Sequence, residues 1–202
     1  MFISFEGIDG SGKSTQARLL AETLRQRDLE VVEVREPGGT PLGEEVRSLL
    51  LDPSQDIDPK AELLLFSAAR AQLVTAFIKP ALAKGAIVIA DRFFDSTTVY
   101  QGDGRKVARS KWLSSLNQYT TGGLTPRRTY LVDVAVEIAA ARRLGTEADR
   151  MEAAGINFYR RVREGYISLA ASCGERILLL DGSRPVEEIH QTVTADFETL
   201  AS

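Results

Sequence analysis

The chain has 202 residues, of which 44% are hydrophobic and 26% charged, and its formal net charge is −3. This length suits one globular domain and is short for two. The slightly acidic balance gives no general attraction to nucleic acid or to an anionic membrane, so neither is an expected partner. No apolar run reaches the ~18 residues of a membrane span, and Cys173 is the single cysteine. Because no basic-then-apolar leader is visible, we expect a cytoplasmic protein.

The first motif in chain order is G-x-x-x-x-G-K-[ST], between an apolar run at 1–5 and a helical pattern that begins near Ser14. Its glycines let successive backbone N–H groups point inward around phosphates, while Lys13 reaches the outer phosphates and Ser14 offers a hydroxyl to Mg²⁺. The helix N-terminus adds positive potential to the same anion site. The predicted phosphate-binding residues are Gly7, Ile8, Asp9, Gly10, Ser11, Gly12, Lys13, Ser14 and Thr15.

Four later apolar runs, at 31–34, 86–90, 129–132 and 176–180, alternate with helical patterns. This alternation predicts an α/β fold with a five-stranded parallel sheet and helices on both faces. The longest helix should begin at Asp58–Pro59 and end or kink at Pro80. Further helices are predicted from about 148 to 172 and after Pro185. We find no repeat or linker, so residues 1–202 are predicted to form a single domain.

Charged residues follow two of the predicted strands. Asp91 and Arg92 come directly after the strand at 86–90, at the sheet edge where ligands bind in open α/β folds. Asp91 there can serve the Mg²⁺ of a bound nucleotide, and Arg92 offers a planar fork to phosphate. Glu36 lies at the same edge, in a turn that also contains Pro37.

Two other segments are less specific on their residues alone. Phe66 and Arg70 share a helix face and could recognise a flat base, although a core position for Phe66 and a solvated one for Arg70 are the more frequent outcomes. The segment at about 141–151 is rich in arginine around a glycine and is predicted to be a short mobile lid. A solvated turn would have a similar composition.

Taken together, these segments resemble the bacterial thymidylate kinase family, P-loop enzymes that phosphorylate dTMP to dTDP with ATP and Mg²⁺. The resemblance covers nearly the whole chain, and three stretches carry it: 5–15, 35–40 and 91–102. It implies that the loop holds ATP, that Ser14 and Asp91 serve the metal, and that the enzyme is a homodimer. The acceptor site would comprise Asp9, Glu36, Phe66, Arg70, Arg92, Thr97, Tyr100 and Gln101.

The same resemblance implies the catalytic groups. Lys13 would act on the ATP phosphates, Arg92 on the acceptor phosphate, and Asp9 between acceptor sugar and phosphate. Some family members carry a catalytic arginine in the phosphate loop, where this chain has Gly10, so the lid should supply it through Arg143 or Arg150. The lid is short and Arg142 stays open as an alternative.

Three other functions compete with this interpretation. A kinase for another pyrimidine nucleotide or a deoxynucleoside would share the fold. A GTP-dependent switch would need an [NT]-K-x-D motif, and none of the six lysines provides one. An inactive relative is disfavoured by the intact Lys13, Ser14, Asp91 and Arg92.

Overall fold

The computed structural model describes residues 1–144, 149–151 and 154–201. Its strands form one parallel sheet in the order β2-β3-β1-β4-β5, which confirms the predicted fold class. The strands are β1 Phe2–Glu6, β2 Val31–Arg35, β3 Ile87–Asp91, β4 Arg128–Asp133 and β5 Ile177–Asp181. Every strand ends one residue beyond its predicted end. The added residue is polar each time, and it still pairs in the sheet, as Glu6 does with Leu131.

Helices fill the connections between the strands. They are α1 Lys13–Arg25, α2 Pro41–Leu51, α3 Pro59–Leu73, α4 Lys79–Ala83, α5 Phe94–Thr97, α6 Ser110–Thr121, α7 Val136–Arg142, α8 Ile156–Ser172 and α9 Val186–Ala201. Two π-helical turns, Val74–Ile78 and Thr98–Gly104, follow α3 and α5.

Alternate side chains of the central strand β1 enter two different layers of the core. Ile3 and Phe5 are buried among residues of α1 and α9, whereas Phe2 packs with Leu73 of α3 and with Phe93 on the opposite face. Period-two alternation on a strand covered on both sides produces this arrangement. Helices therefore lie on both faces of the sheet, as predicted.

The long helix passes Pro80 instead of ending there. A proline inside a helix lacks an N–H, and its ring crowds the carbonyl four residues earlier. Here the turn before Pro80 is π-helical, with Lys79 N–H bonded to Val74 O, and this widens the helix locally. The continuous stretch Pro59–Ala83 is long and apolar enough to cross a membrane by length and composition. No stretch of this kind was predicted from the sequence. Core helices of soluble proteins have the same length and composition, and 44% of the most apolar window of this helix is buried within the protein.

The predicted lid region differs from expectation at its C-terminal end. The helix predicted from about 148 begins at Ile156, and residues 149–151 form a turn in which Arg150 N–H bonds to Leu51 O. Gly155, at φ 83°, precedes that helix and accounts for its late start. Positions 145–148 of the predicted lid lie outside the described residues.

Candidate functional site

The phosphate loop, residues 7–15, joins β1 to α1 at the carboxyl edge of the central strand. Gly7 and Gly10 have φ of 144° and 84°, and a Cβ added to either would lie within 2.5 Å of a backbone carbonyl, Val132 O or Ala139 O. Both positions therefore require glycine. α1 begins at Lys13, so its free N–H groups face the cavity that the loop surrounds. This cavity is lined by Gly10, Gly12, Lys13, Ser14, Thr15 and Arg142.

Asp9 is the centre of an ionic cluster at the end of this loop. Its Oδ1 lies 2.6 Å from Arg92 Nη2 and 3.5 Å from Lys13 Nζ, and its Oδ2 accepts from the hydroxyls of Tyr159 at 3.1 Å and Tyr100 at 3.3 Å. Burial alone would raise the pKa of Asp9, but the charges of Arg92 and Lys13 outweigh it and hold that pKa well below its usual range. Asp9 is therefore a carboxylate that joins the two predicted phosphate-binding cations.

Arg92 lies in a strained turn directly after β3, with φ of 72°. Its Nη1 donates to Ser96 Oγ at 3.1 Å and its Nη2 to the Tyr100 hydroxyl at 3.1 Å, while the guanidinium carbon lies 5.0 Å from the centre of the Tyr100 ring. These contacts fix the guanidinium on one side and direct it toward the cleft. The predicted Asp91–Arg92 site thus lies beside the phosphate loop.

Glu6 supports this turn, and sequence reasoning missed it. Its fully buried carboxylate accepts from Phe93 N–H at 2.7 Å, Ser96 Oγ at 2.6 Å and the Tyr166 hydroxyl at 2.7 Å. Burial, with the nearby Asp95 charge, raises its pKa to about 7, although Arg92 opposes the shift. Its position in the sequence, as the only carboxylate in a largely apolar strand, could have indicated a supporting role for Glu6.

A cleft next to Asp9, the acceptor cleft, collects the residues predicted to hold the acceptor. All eight of them line it: Asp9, Glu36, Phe66, Arg70, Arg92, Thr97, Tyr100 and Gln101. Phe66 is partly buried, and Arg70 is only 1% exposed. The expectation from residue type alone, a solvated Arg70, is therefore wrong, because Glu36, 34 residues away in sequence, neutralises the buried guanidinium.

Arg70 is held by acceptors on three sides. Its Nε and Nη2 donate to the same Glu36 oxygen at 2.8 and 2.6 Å, Nη1 donates to Thr97 Oγ1 at 2.7 Å, and Nη2 reaches Phe93 O at 3.3 Å. Burial raises the pKa of Glu36 although Arg70 opposes this. A guanidinium has five N–H donors, so one on Nη1 remains for a ligand. A carbonyl group on a flat base could accept a hydrogen bond from this remaining N–H.

The arginines of the lid region occupy three different places. Arg142 lies on the phosphate loop, with Nη1 3.1 Å from Ser11 O and Nη2 2.9 Å from Gly182 O. The Arg143 guanidinium carbon lies 4.9 Å from the ring centre of Tyr159, which in turn contacts Asp9. Arg150 donates to buried Glu62 at 2.6 Å and to Leu50 O at 2.8 Å. The structure therefore brings Arg142 and Arg143 near the phosphate loop, whereas Arg150 pairs with Glu62 and is not itself among the residues that line the acceptor cleft.

The chemistry of Ser14 and Asp91 fits a magnesium ion. They line one cavity, and the buried Oδ1 of Asp91 has no hydrogen-bond partner in the part of the chain described. Mg²⁺ prefers oxygen ligands, and nucleotide enzymes hold it with one or two side chains plus phosphates. Among the described residues no cluster of three or more His, Cys, Asp or Glu forms an all-protein metal cage.

A phosphate loop after the central strand, with the Arg92 guanidinium held beside it by Asp9, is the arrangement of a P-loop nucleotide kinase. A family model described as thymidylate kinase matches residues 5–193. The chain belongs to the thymidylate kinase family, as the sequence motifs predicted.

Individual relatives support this membership over the full length of the chain. Thymidylate kinase of Kosmotoga olearia is 48% identical over 198 residues, covering 98% of this chain and 95% of the relative. That of Chlorobium chlorochromatii is 47% identical with the same coverage. The crystal structure of thymidylate kinase from Ehrlichia chaffeensis superposes with a TM-score of 0.80 at 37% identity, covering 98% of both chains.

Proposed function

We propose that this chain transfers the γ-phosphoryl group of ATP to dTMP, giving dTDP and ADP, with the phosphate loop as donor site and the acceptor cleft as acceptor site. Family membership supplies the reaction. The observation that carries the assignment to this chain is the Asp9 cluster, where Lys13 of the loop and Arg92 of the cleft meet one carboxylate. Donor and acceptor phosphates would thus approach each other within one ionic network.

On the donor side, the backbone of residues 7–15 and Lys13 would bind the ATP phosphates. Burial and the neighbouring Arg92 charge lower the pKa of Lys13, and phosphate charge beside it would stabilise the protonated form. Ser14 and Asp91 would hold Mg²⁺, directly or through water, and the ion would neutralise charge that develops on the transferred group.

On the acceptor side, Arg92 would grip the dTMP phosphate and Asp9 would lie between sugar and phosphate. Phe66 would stack on the base, Arg70 would donate to its carbonyl edge, and Thr97 and Gln101 would line its pocket. Tyr100, packed beneath Arg92, would lie under the sugar. Arg143 or Arg150 would supply the cation that stabilises the transition state, with Arg142 as the remaining candidate.

The proposal extends to assembly and location. Large apolar side chains are exposed on two helices that pack together: Leu64 on α3 and Trp112 and Tyr119 on α6, at 54%, 50% and 86% exposure. Large apolar side chains exposed on packed helices favour association, so we expect a homodimer through the α3–α6 face. A cytoplasmic location suits a nucleotide kinase with one free cysteine.

The test is an ADP-release assay over dTMP, dUMP, dCMP, AMP and thymidine as acceptors. We expect the highest kcat/KM for dTMP and a smaller but measurable value for dUMP, since one methyl group contributes only about 10–200-fold in discrimination. Removal of Mg²⁺ with EDTA should abolish turnover, and added Mg²⁺ should restore it. Equal kcat/KM for all five acceptors would refute the assignment.

A further inference from the structure

Glu62 of α3 is a buried carboxylate below the acceptor cleft. It is 1% exposed and does not line the cleft itself. Its Oε2 accepts from Arg150 Nη2 at 2.6 Å and its Oε1 from Gln101 Nε2 at 3.1 Å, while Arg105 approaches both oxygens at 3.4 Å. Every partner of this carboxylate is an N–H donor, so Glu62 acts here as an acceptor.

This contact decides which end of the Gln101 side chain faces the ligand. Because a carboxylate accepts only, the amide must give its NH₂ to Glu62, and a flipped amide would place two oxygens against each other. Gln101 is itself 2% exposed and lines the cleft. Its carbonyl oxygen, which has no partner among the described residues, is therefore left for the cleft.

Arg70 presents the complementary group on the same cleft. With its other N–H groups engaged by Glu36, Thr97 and Phe93 O, one Nη1 hydrogen remains as a donor. One donor and one acceptor match a ring that carries a carbonyl beside an N–H, which is the edge of thymine and uracil. Cytosine has the opposite order at this edge, an amino donor beside an unprotonated nitrogen.

We propose that Glu62 is a specificity-determining positioning residue: its carboxylate holds the Gln101 amide with the carbonyl oxygen toward the acceptor cleft, so that the site takes thymine or uracil and rejects cytosine. This inference rests on the proposed placement of the acceptor base in that cleft. Arg150, by occupying the other carboxylate oxygen, fixes the direction in which Glu62 faces Gln101.

Glu62→Gln is the informative substitution. Arg150 would claim the carbonyl oxygen of the new amide, which leaves its NH₂ toward Gln101 and favours the flipped orientation of Gln101. The ratio of kcat/KM for dTMP to that for dCMP should fall about tenfold or more. The ratio for dTMP to dUMP should stay within about twofold, because both bases have the same edge. Arg105→Met is the matched control, since it removes a partner of Glu62 but leaves the Gln101 contact, and it should keep both ratios.

Several outcomes would overturn the inference. If Glu62→Gln loses activity equally on dTMP, dUMP and dCMP, the substitution causes only a structural defect. If the ratio of kcat/KM for dTMP to that for dCMP is unchanged, Glu62 has no role in specificity. A wild-type enzyme with no preference for dTMP over dCMP would instead refute the proposed function.

If Glu62→Gln does not fold, the wild-type protein provides the test. The side-chain NH₂ resonance of Gln101, assigned by its loss in Gln101→Leu, should exchange slowly with solvent both without and with dTMP, because it faces Glu62. Rapid exchange in the free protein would overturn the inference.

Discussion

At the scale of single residues, Arg92 is the group on which acceptor binding and phosphoryl transfer both depend. Arg92→Ala should lower kcat/KM for dTMP about 10²–10³-fold, with a higher KM and a lower kcat, because positioning of the acceptor phosphate serves both steps. Steady-state kinetics with dTMP varied at saturating ATP measure this. Arg163→Ala is the control, since Arg163 also pairs with an aspartate, Asp133, but does not line the cleft. Unchanged kinetics in Arg92→Ala would remove Arg92 from the site.

Glu6 should make the stability of the protein depend on pH. Its pKa is about 7 in the folded protein against 4.5 as the ordinary value, so between these values the folded state binds a proton that the unfolded state releases. The contribution of Glu6 is therefore fully present below about pH 4.5 and is lost as the pH rises through about 7. Glu6→Gln should remove this dependence, which amounts to at most about 3 kcal/mol.

Urea unfolding at pH 5 and pH 7.5 measures that difference. Wild type should lose more free energy of unfolding between the two pH values than Glu6→Gln does, and Glu45→Gln, exposed on α2, should behave like wild type. Parallel pH dependence in wild type and Glu6→Gln would contradict the prediction.

At the scale of elements, the lid region is predicted to supply the catalytic arginine. Arg143→Ala and Arg150→Ala, made separately, should lower kcat in at least one case, by up to about 10³-fold for a transition-state arginine. Because Arg150 also contacts Glu62, its loss should raise the KM for dTMP, whereas loss of Arg143 should leave that KM nearly unchanged. Normal kcat in both variants would exclude them and direct attention to Arg142 on the phosphate loop.

Some elements of the fold could be predicted from the sequence, and others could not. The strand–loop–helix at 1–25 was predictable because apolar runs, glycines and a lysine act locally. Strand ends were misplaced by one residue because polar side chains such as Asp133 can end a ladder while still pairing. Burial of Arg70 and Glu62 was not predictable, since their partners lie 34 and 88 residues away and a charged residue on a helix otherwise indicates a solvated face.

At the scale of the whole molecule, the exposed α3–α6 face predicts self-association. Light scattering after size exclusion should give the mass of a dimer for wild type. Leu64→Glu should shift it toward a monomer, because it places a charge in the apolar surface. Val186→Glu, at a position with 43% exposure at the start of α9, is the control and should stay dimeric. A monomeric wild-type protein would refute the expected assembly.

The Asp9 cluster has a consequence for the entropy of binding. A free lysine or arginine side chain loses about 2 kcal/mol of rotamer entropy when it is fixed. Lys13 and Arg92 are held by Asp9, and Arg92 is also hydrogen-bonded to Ser96 and Tyr100, so these contacts lie within the protein itself. Part of this ordering cost is therefore met during folding, and less of it remains to oppose the binding of phosphates.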